Sequence, residues 1–125
     1  AIDALKRLDL VFVHVEATDE AAHTGNVKEK IRAIEQIDQH IVGPIIQHLK
    51  KESEWRLFVA PDHYTPIVKK THAADPVPFI FAGTDLPFCC SERPYTEADA
   101  KETGISLDRG YELMLRLVKG WKHYG

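Results

Sequence analysis

Leu8-Asp9-Leu10-Val11-Phe12-Val13-His14-Val15-Glu16 is the stretch on which the fold turns. From Leu10 to Val13 both alternating faces are apolar and β-branched residues are frequent, the signature of a strand covered on both sides. A strand of that kind predicts the centre of a parallel sheet. The polar stretch from Ala17 to Gly25 then leads to Asn26, an expected N-cap, and to a helical pattern carried by Ile31, Ile34, Ile37, Ile41, Ile45 and Leu49 at spacings of three and four. One face of that helix is expected to pack on the sheet. Gly43-Pro44 should kink it, because Pro44 lacks an N–H and leaves the carbonyl of His40 without its usual partner.

Beyond this helix, Trp55 to Ala60 and Val77 to Ala82 read as further strands separated by a long polar loop, and such loops inside compact domains tend to be functional. A short helix is expected near Thr96 to Glu102, ended by Gly104. A last amphipathic helix should run from Ser106, as N-cap, through Leu113, Leu117 and Val118 to Lys119. Strand, helix, strand, strand and helix predict an α/β fold, an open and mostly parallel sheet flanked by helices, formed by residues 1–125 as one domain. Ligands of such sheets gather beyond the carboxyl ends of the strands.

Composition narrows the function. With 125 residues, 44% of them hydrophobic, the chain can bury a core of its own. The formal net charge of -3 and the interspersed charges form no basic stripe, so nucleic acid is not an expected partner. No apolar run approaches the length of a membrane helix and the start is not a signal peptide, which predicts a cytoplasmic protein. Adjacent Cys89 and Cys90 offer neither zinc-finger spacing nor an unstrained disulfide and are expected to be reduced, buried, small apolar residues.

Asp and His in the polar loops carry the candidate chemistry. Asp19 and His23 are four apart, so one turn of helix aims both side chains at a common point. Asp62 and His63 directly follow a strand, and His72 lies nine residues further on in the same long loop. Five potential ligands from three short stretches of sequence form a constellation suited to Mn²⁺ or Zn²⁺, which carboxylates and neutral imidazoles hold together. Glu16 and Glu20 stand beside the first loop, where they either orient ligands or cap a turn. Structural roles are expected for His14, His40, His48 and His123. The phosphate-binding glycine loops and a Gly-x-Ser-x-Gly elbow are absent, leaving metals as the visible machinery.

Three stretches taken together resemble cofactor-independent phosphoglycerate mutases of the alkaline phosphatase superfamily, especially the archaeal-type branch: His14 to His23, Pro61-Asp62-His63-Tyr64-Thr65-Pro66, and Thr71 to Phe79. The resemblance implies that Asp19, His23 and His72 bind one metal and that Asp62 and His63 bind a second. It also implies two divalent ions, with Mn²⁺ preferred and Zn²⁺, Co²⁺ or Mg²⁺ as alternatives. The remaining ligands, another Asp and the Ser nucleophile, belong in that family to an amino-terminal segment, and a separate inserted domain grips the substrate. By this analogy the chain is a carboxy-terminal metal-binding piece of a parent about three times longer, with no catalytic nucleophile of its own. The implied reaction interconverts 3-phosphoglycerate and 2-phosphoglycerate through a phosphoserine. A metal-dependent phosphatase or phosphonate hydrolase, and a non-catalytic metal-binding module, are the alternative readings.

Overall fold

A computed structural model describes residues 1–86 and 93–121 of the chain. The chain divides into two compact units, one formed by Ala1–Lys51 with His63–Asp75 and the other by Glu52–Asp62 with Pro76–Gly125. Among the described residues no helix is long and apolar enough to cross a membrane. Cys89, Cys90 and His123 lie outside the described residues.

In the first unit, a four-residue helix α1 (Ile2–Leu5) is followed by α2 (Ala17–Thr24) and α3 (Val27–Ile37). The turn between α2 and α3 is short because two residues complete both helix ends. Gly25, at φ 77°, adopts the left-handed conformation that terminates α2, and the Asn26 N–H bonds back to Ala21 O at 3.1 Å. Asn26 then caps α3 by accepting from the Glu29 N–H at 3.1 Å, as its position in the sequence predicts. Ala21 and Ala22 are buried, and their small side chains let α3 pack closely on α2.

The kink expected at Gly43-Pro44 takes the form of a π-helical turn, Asp38–Val42, leading into α4 (Gly43–Leu49). Pro44 has no N–H to offer His40, and the Gly43 N–H reaches back five residues to Asp38 O. A Cβ on Gly43 would stand 3.1 Å from that same oxygen, which explains the glycine before the proline.

The second unit contains β1 (Arg56–Val59), β2 (Ile80–Gly83), α5 (Glu97–Glu102) and α6 (Glu112–Lys119). β1 and β2 pair antiparallel in the register Arg56↔Gly83 to Val59↔Ile80. The second strand starts three residues later than expected, because Pro76 and Pro78 cannot donate to a ladder. α5 falls where a short helix is expected, and Thr96 caps it by accepting from the Asp99 N–H. α6 is shorter than expected and Ser106 is not its cap: a turn at Arg109 to Tyr111 precedes the first helical residue, Glu112.

Two expectations are corrected here. Among the described residues the sheet has two antiparallel strands, not an open and mostly parallel arrangement. Leu8 to Glu16 joins no ladder, and Phe12 is 78% exposed. Without a partner strand, its apolar pattern has nothing to be covered by. For the same reason Ile31 and Ile34 of α3 remain exposed, and that helix packs on α2 instead of on a sheet.

Arg56 organises the second unit. Its Nε and Nη2 fork onto the Asp85 carboxylate at 2.7 to 3.1 Å, while Nη1 donates to the carbonyls of Leu117 and Val118 at the end of α6. The Asp85 hydrogen bond is the main reason the guanidinium pKa rises above its ordinary value. Gly120, at φ 87°, lies so close that an added Cβ would come within 2.9 Å of Asp85 Oδ2. Phe58, Phe81 and Trp121 continue the packing, with Phe81 meeting Trp121 edge-on at 5.3 Å. Arg56→Met should therefore lower stability by about 1–3 kcal/mol in urea denaturation. Arg56→Lys should restore only part of that, since an ammonium cannot form the fork. Full stability in Arg56→Met would deny this role.

Candidate metal centre

The candidate centre is assembled inside the first unit by α2 and the 63–75 loop. Asp19 and His23 sit one turn apart on α2, as their spacing predicts. His63 and His72 approach them because the loop closes on itself: Tyr64 and Ala73 form an isolated antiparallel bridge, with the Ala73 N–H on Tyr64 O at 2.8 Å. His63 and His72 each directly precede a residue of that bridge, and their rings stack at 3.7 Å between centroids.

Asp19, His23 and His72 offer ligand atoms that all lie within 4.8 Å of one another. His23 Nε2 stands 3.3 Å from His72 Nε2 and 3.2 Å from Asp19 Oδ2, and His72 Nε2 stands 3.6 Å from Asp19 Oδ1. Ligands about 2.1 Å from a tetrahedral metal are separated by about 3.4 Å, so this donor set fits a divalent cation in both chemistry and spacing. His63 Nδ1 is 4.0 Å from Asp19 Oδ1. Asp62 is exposed and forms the last residue of the other unit's 52–62 segment, directly before His63 in the chain. His14 is exposed and pairs loosely with Glu16 at 3.9 Å, His40 is exposed on the π-helical turn, and His48 is half-buried on α4.

Supporting contacts hold the ligands. His23 Nδ1 lies 2.9 Å from Lys70 O, and a carbonyl only accepts, so the ring carries its proton on Nδ1 and its lone pair on Nε2. Lys70 presents that carbonyl from the end of a turn closed by hydrogen bonds to Pro66 O, with a left-handed φ of 53° that side chains other than glycine rarely adopt. Thr65 is 5% exposed; its Oγ1 donates to Asp19 Oδ1 at 2.7 Å, and Lys30 Nζ donates to its carbonyl at 2.8 Å. Reading the sequence for Asp and His passes over Thr65, Lys70 and Lys30. Only the place of Thr65 in the polar Asp62 to Thr65 run points to it.

The Thr65 hydrogen bond is the largest influence on the Asp19 carboxyl and lowers its pKa below the ordinary 3.8; partial burial opposes the shift, and His23, His72 and His63 add to it.

A profile of the Metalloenzyme superfamily matches residues 1–104. The chain belongs to that superfamily. It is 46% identical over 122 residues to a protein of Methanothrix thermoacetophila named 2,3-bisphosphoglycerate-independent phosphoglycerate mutase, covering 96% of this chain and 31% of that protein. A protein of the same name from Methanosarcina barkeri is 47% identical over 120 residues, covering 95% of this chain and 30% of that protein. A Geobacter sulfurreducens protein carrying the name with the qualifier "Probable" is 40% identical over 114 residues, 91% of this chain and 29% of its own length. The chain thus spans about 30% of the length of these relatives. No solved structure matches. Superfamily membership and the convergent donor set agree on divalent metal as the cofactor class.

The lowered Asp19 pKa has a defined effect on the metal-free protein. A carboxyl depressed in the folded state contributes stability above its unfolded pKa, and that contribution is lost as pH falls through the folded value. Wild type and Asp19→Asn should therefore differ in denaturant midpoint near neutral pH and converge well below 3.8. A difference that persists unchanged into strong acid would contradict this account of Asp19.

Proposed function

We propose that this chain supplies metal ligands to a 2,3-bisphosphoglycerate-independent phosphoglycerate mutase that interconverts 3-phosphoglycerate and 2-phosphoglycerate. The observation that carries the reading is the convergence of Asp19, His23 and His72 in a chain this similar to proteins bearing that name. In this reading Asp19, His23 and His72 hold one divalent ion, and Asp62 and His63 contribute to a second. Mn²⁺ is the preferred ion, with Zn²⁺, Co²⁺ and Mg²⁺ as alternatives. Bound divalent ions supply charge neutralisation for a phosphoryl group and lower the pKa of an alcohol nucleophile, the two demands of phosphoryl transfer.

What this chain's residues contribute is binding and orientation. The carboxylate of Asp19 brings negative charge and the imidazoles of His23 and His72 bring neutral donors, leaving positions open for substrate oxygens. The Nδ1 proton of His23, committed to Lys70 O, keeps Nε2 available as the ligating atom. The reading includes a phosphoserine formed on a nucleophile outside these residues, a small phosphorylated substrate, a cytoplasmic setting, and a single alkaline phosphatase-like catalytic domain.

Calorimetric titration of the purified chain with Mn²⁺ is the direct test. One tightly held ion is expected, with affinity falling below about pH 6 as imidazoles with a reference pKa near 6.5 become protonated. His23→Ala and His72→Ala should each weaken binding by at least tenfold, and unchanged affinity in both would remove the ligand assignment. In a whole enzyme containing these residues, Asp62→Asn should abolish most mutase turnover in a coupled assay while leaving the thermal midpoint nearly unchanged. Normal turnover in that variant would remove Asp62 from the second ligand set.

A further inference from the structure

A threonine hydroxyl has one proton to donate and lone pairs to accept with. At Thr65 the allocation is forced. Its Oγ1 lies 2.7 Å from Asp19 Oδ1 and 2.9 Å from His63 Nδ1, and a carboxylate oxygen only accepts. The hydroxyl proton therefore goes to Asp19, and the contact with His63 is closed by a proton on Nδ1 of the ring. A neutral imidazole carries one proton, so the lone pair of His63 resides on Nε2.

We propose that Thr65 is a positioning residue of the metal centre, its buried hydroxyl orienting the Asp19 carboxylate and at the same time fixing His63 as the Nδ1–H tautomer. This rests on the metal-binding reading for its consequence, but not for its geometry. Three features make the hydroxyl a fixed element. Thr65 is 5% exposed, its own carbonyl accepts from Lys30 Nζ at 2.8 Å, and its neighbour Tyr64 is held in the bridge to Ala73. Because Asp19 belongs to one proposed ligand set and His63 to the other, a single side chain supports both. Groups that hydrogen-bond metal ligands from outside typically carry 10–100-fold in metal affinity.

Two measurements on the purified chain test this. In the first, ¹⁵N imidazole spectra of the metal-free protein are recorded at about pH 8, where histidines with ordinary pKa values are neutral. Wild type and Thr65→Ser should show His63 as the Nδ1–H tautomer, and Thr65→Val should shift it towards Nε2–H. Asp19→Ala should shift it too, because the freed hydroxyl proton can then be donated to Nδ1. An unchanged tautomer in both Thr65→Val and Asp19→Ala overturns the proposal, and Asp19→Ala decides alone if Thr65→Val does not fold. In the second, Mn²⁺ titration should give a dissociation constant roughly 10–100-fold higher for Thr65→Val, with Thr65→Ser within about threefold of wild type. Wild-type affinity in a folded Thr65→Val, or equal loss in Thr65→Ser, overturns the positioning role. If the wild-type chain binds no Mn²⁺, the metal-binding reading fails, while the spectra still decide the role of the hydroxyl.

Discussion

The hydrogen bond from Thr65 to Asp19 joins residues forty-six positions apart and ties the 63–75 loop to the first turn of α2. Nearly every other feature of the candidate centre depends on it. With Asp19 held from the loop side, His23, one turn further along α2, meets the Lys70 carbonyl, and His72 comes within reach of both. The loop needs its own closure to make this possible. The Tyr64 to Ala73 bridge and the turn from Pro66 to Lys70 provide it with backbone hydrogen bonds alone. A loop of this kind holds ligands without the breadth of a sheet behind it.

Left-handed backbone coincides with a close approach at Lys70 and at Gly25. Lys70 adopts a left-handed φ at the point where its carbonyl must face His23, a conformation held against a steric cost by the hydrogen bonds of the turn. Gly25, also left-handed, ends α2 where the Lys70 side chain crosses: a Cβ there would lie 2.5 Å from Lys70 Cε. The end of the helix that carries Asp19 and His23 and the turn that carries the supporting carbonyl are therefore shaped to each other.

Much of the site was legible in the residues because its logic is local. An Asp and a His four apart on a helix must share a face, and the cap at Asn26 and the glycine before it follow from helix-end chemistry. The Gly43-Pro44 disruption was legible for the same reason, although its form, a π-helical turn, depends on the Gly43 N–H finding Asp38 O. The sheet was not legible. Leu8 to Glu16 has every local mark of a buried strand, but pairing is a property of two segments, and among the described residues no second segment meets it. The same holds for the isoleucines of α3, whose period indicates a helix correctly and says nothing of what covers them.

Thr65 escaped for a subtler reason: residue type announces ligands far better than it announces the groups that orient them. The two supported histidines show why that distinction matters. His23 meets a carbonyl, which can only accept, so its tautomer is imposed by the backbone whatever else changes. His63 meets a hydroxyl, which can donate or accept, so its tautomer is conditional on where the hydroxyl proton goes. Asp19 supplies that condition by taking the proton. The carboxylate is thus both a ligand of one proposed ion and the determinant of which nitrogen His63 presents. Removing it changes the donor set at one place and the protonation pattern at another. Such coupling arises from a single buried oxygen atom with one hydrogen, and it requires no movement of the chain.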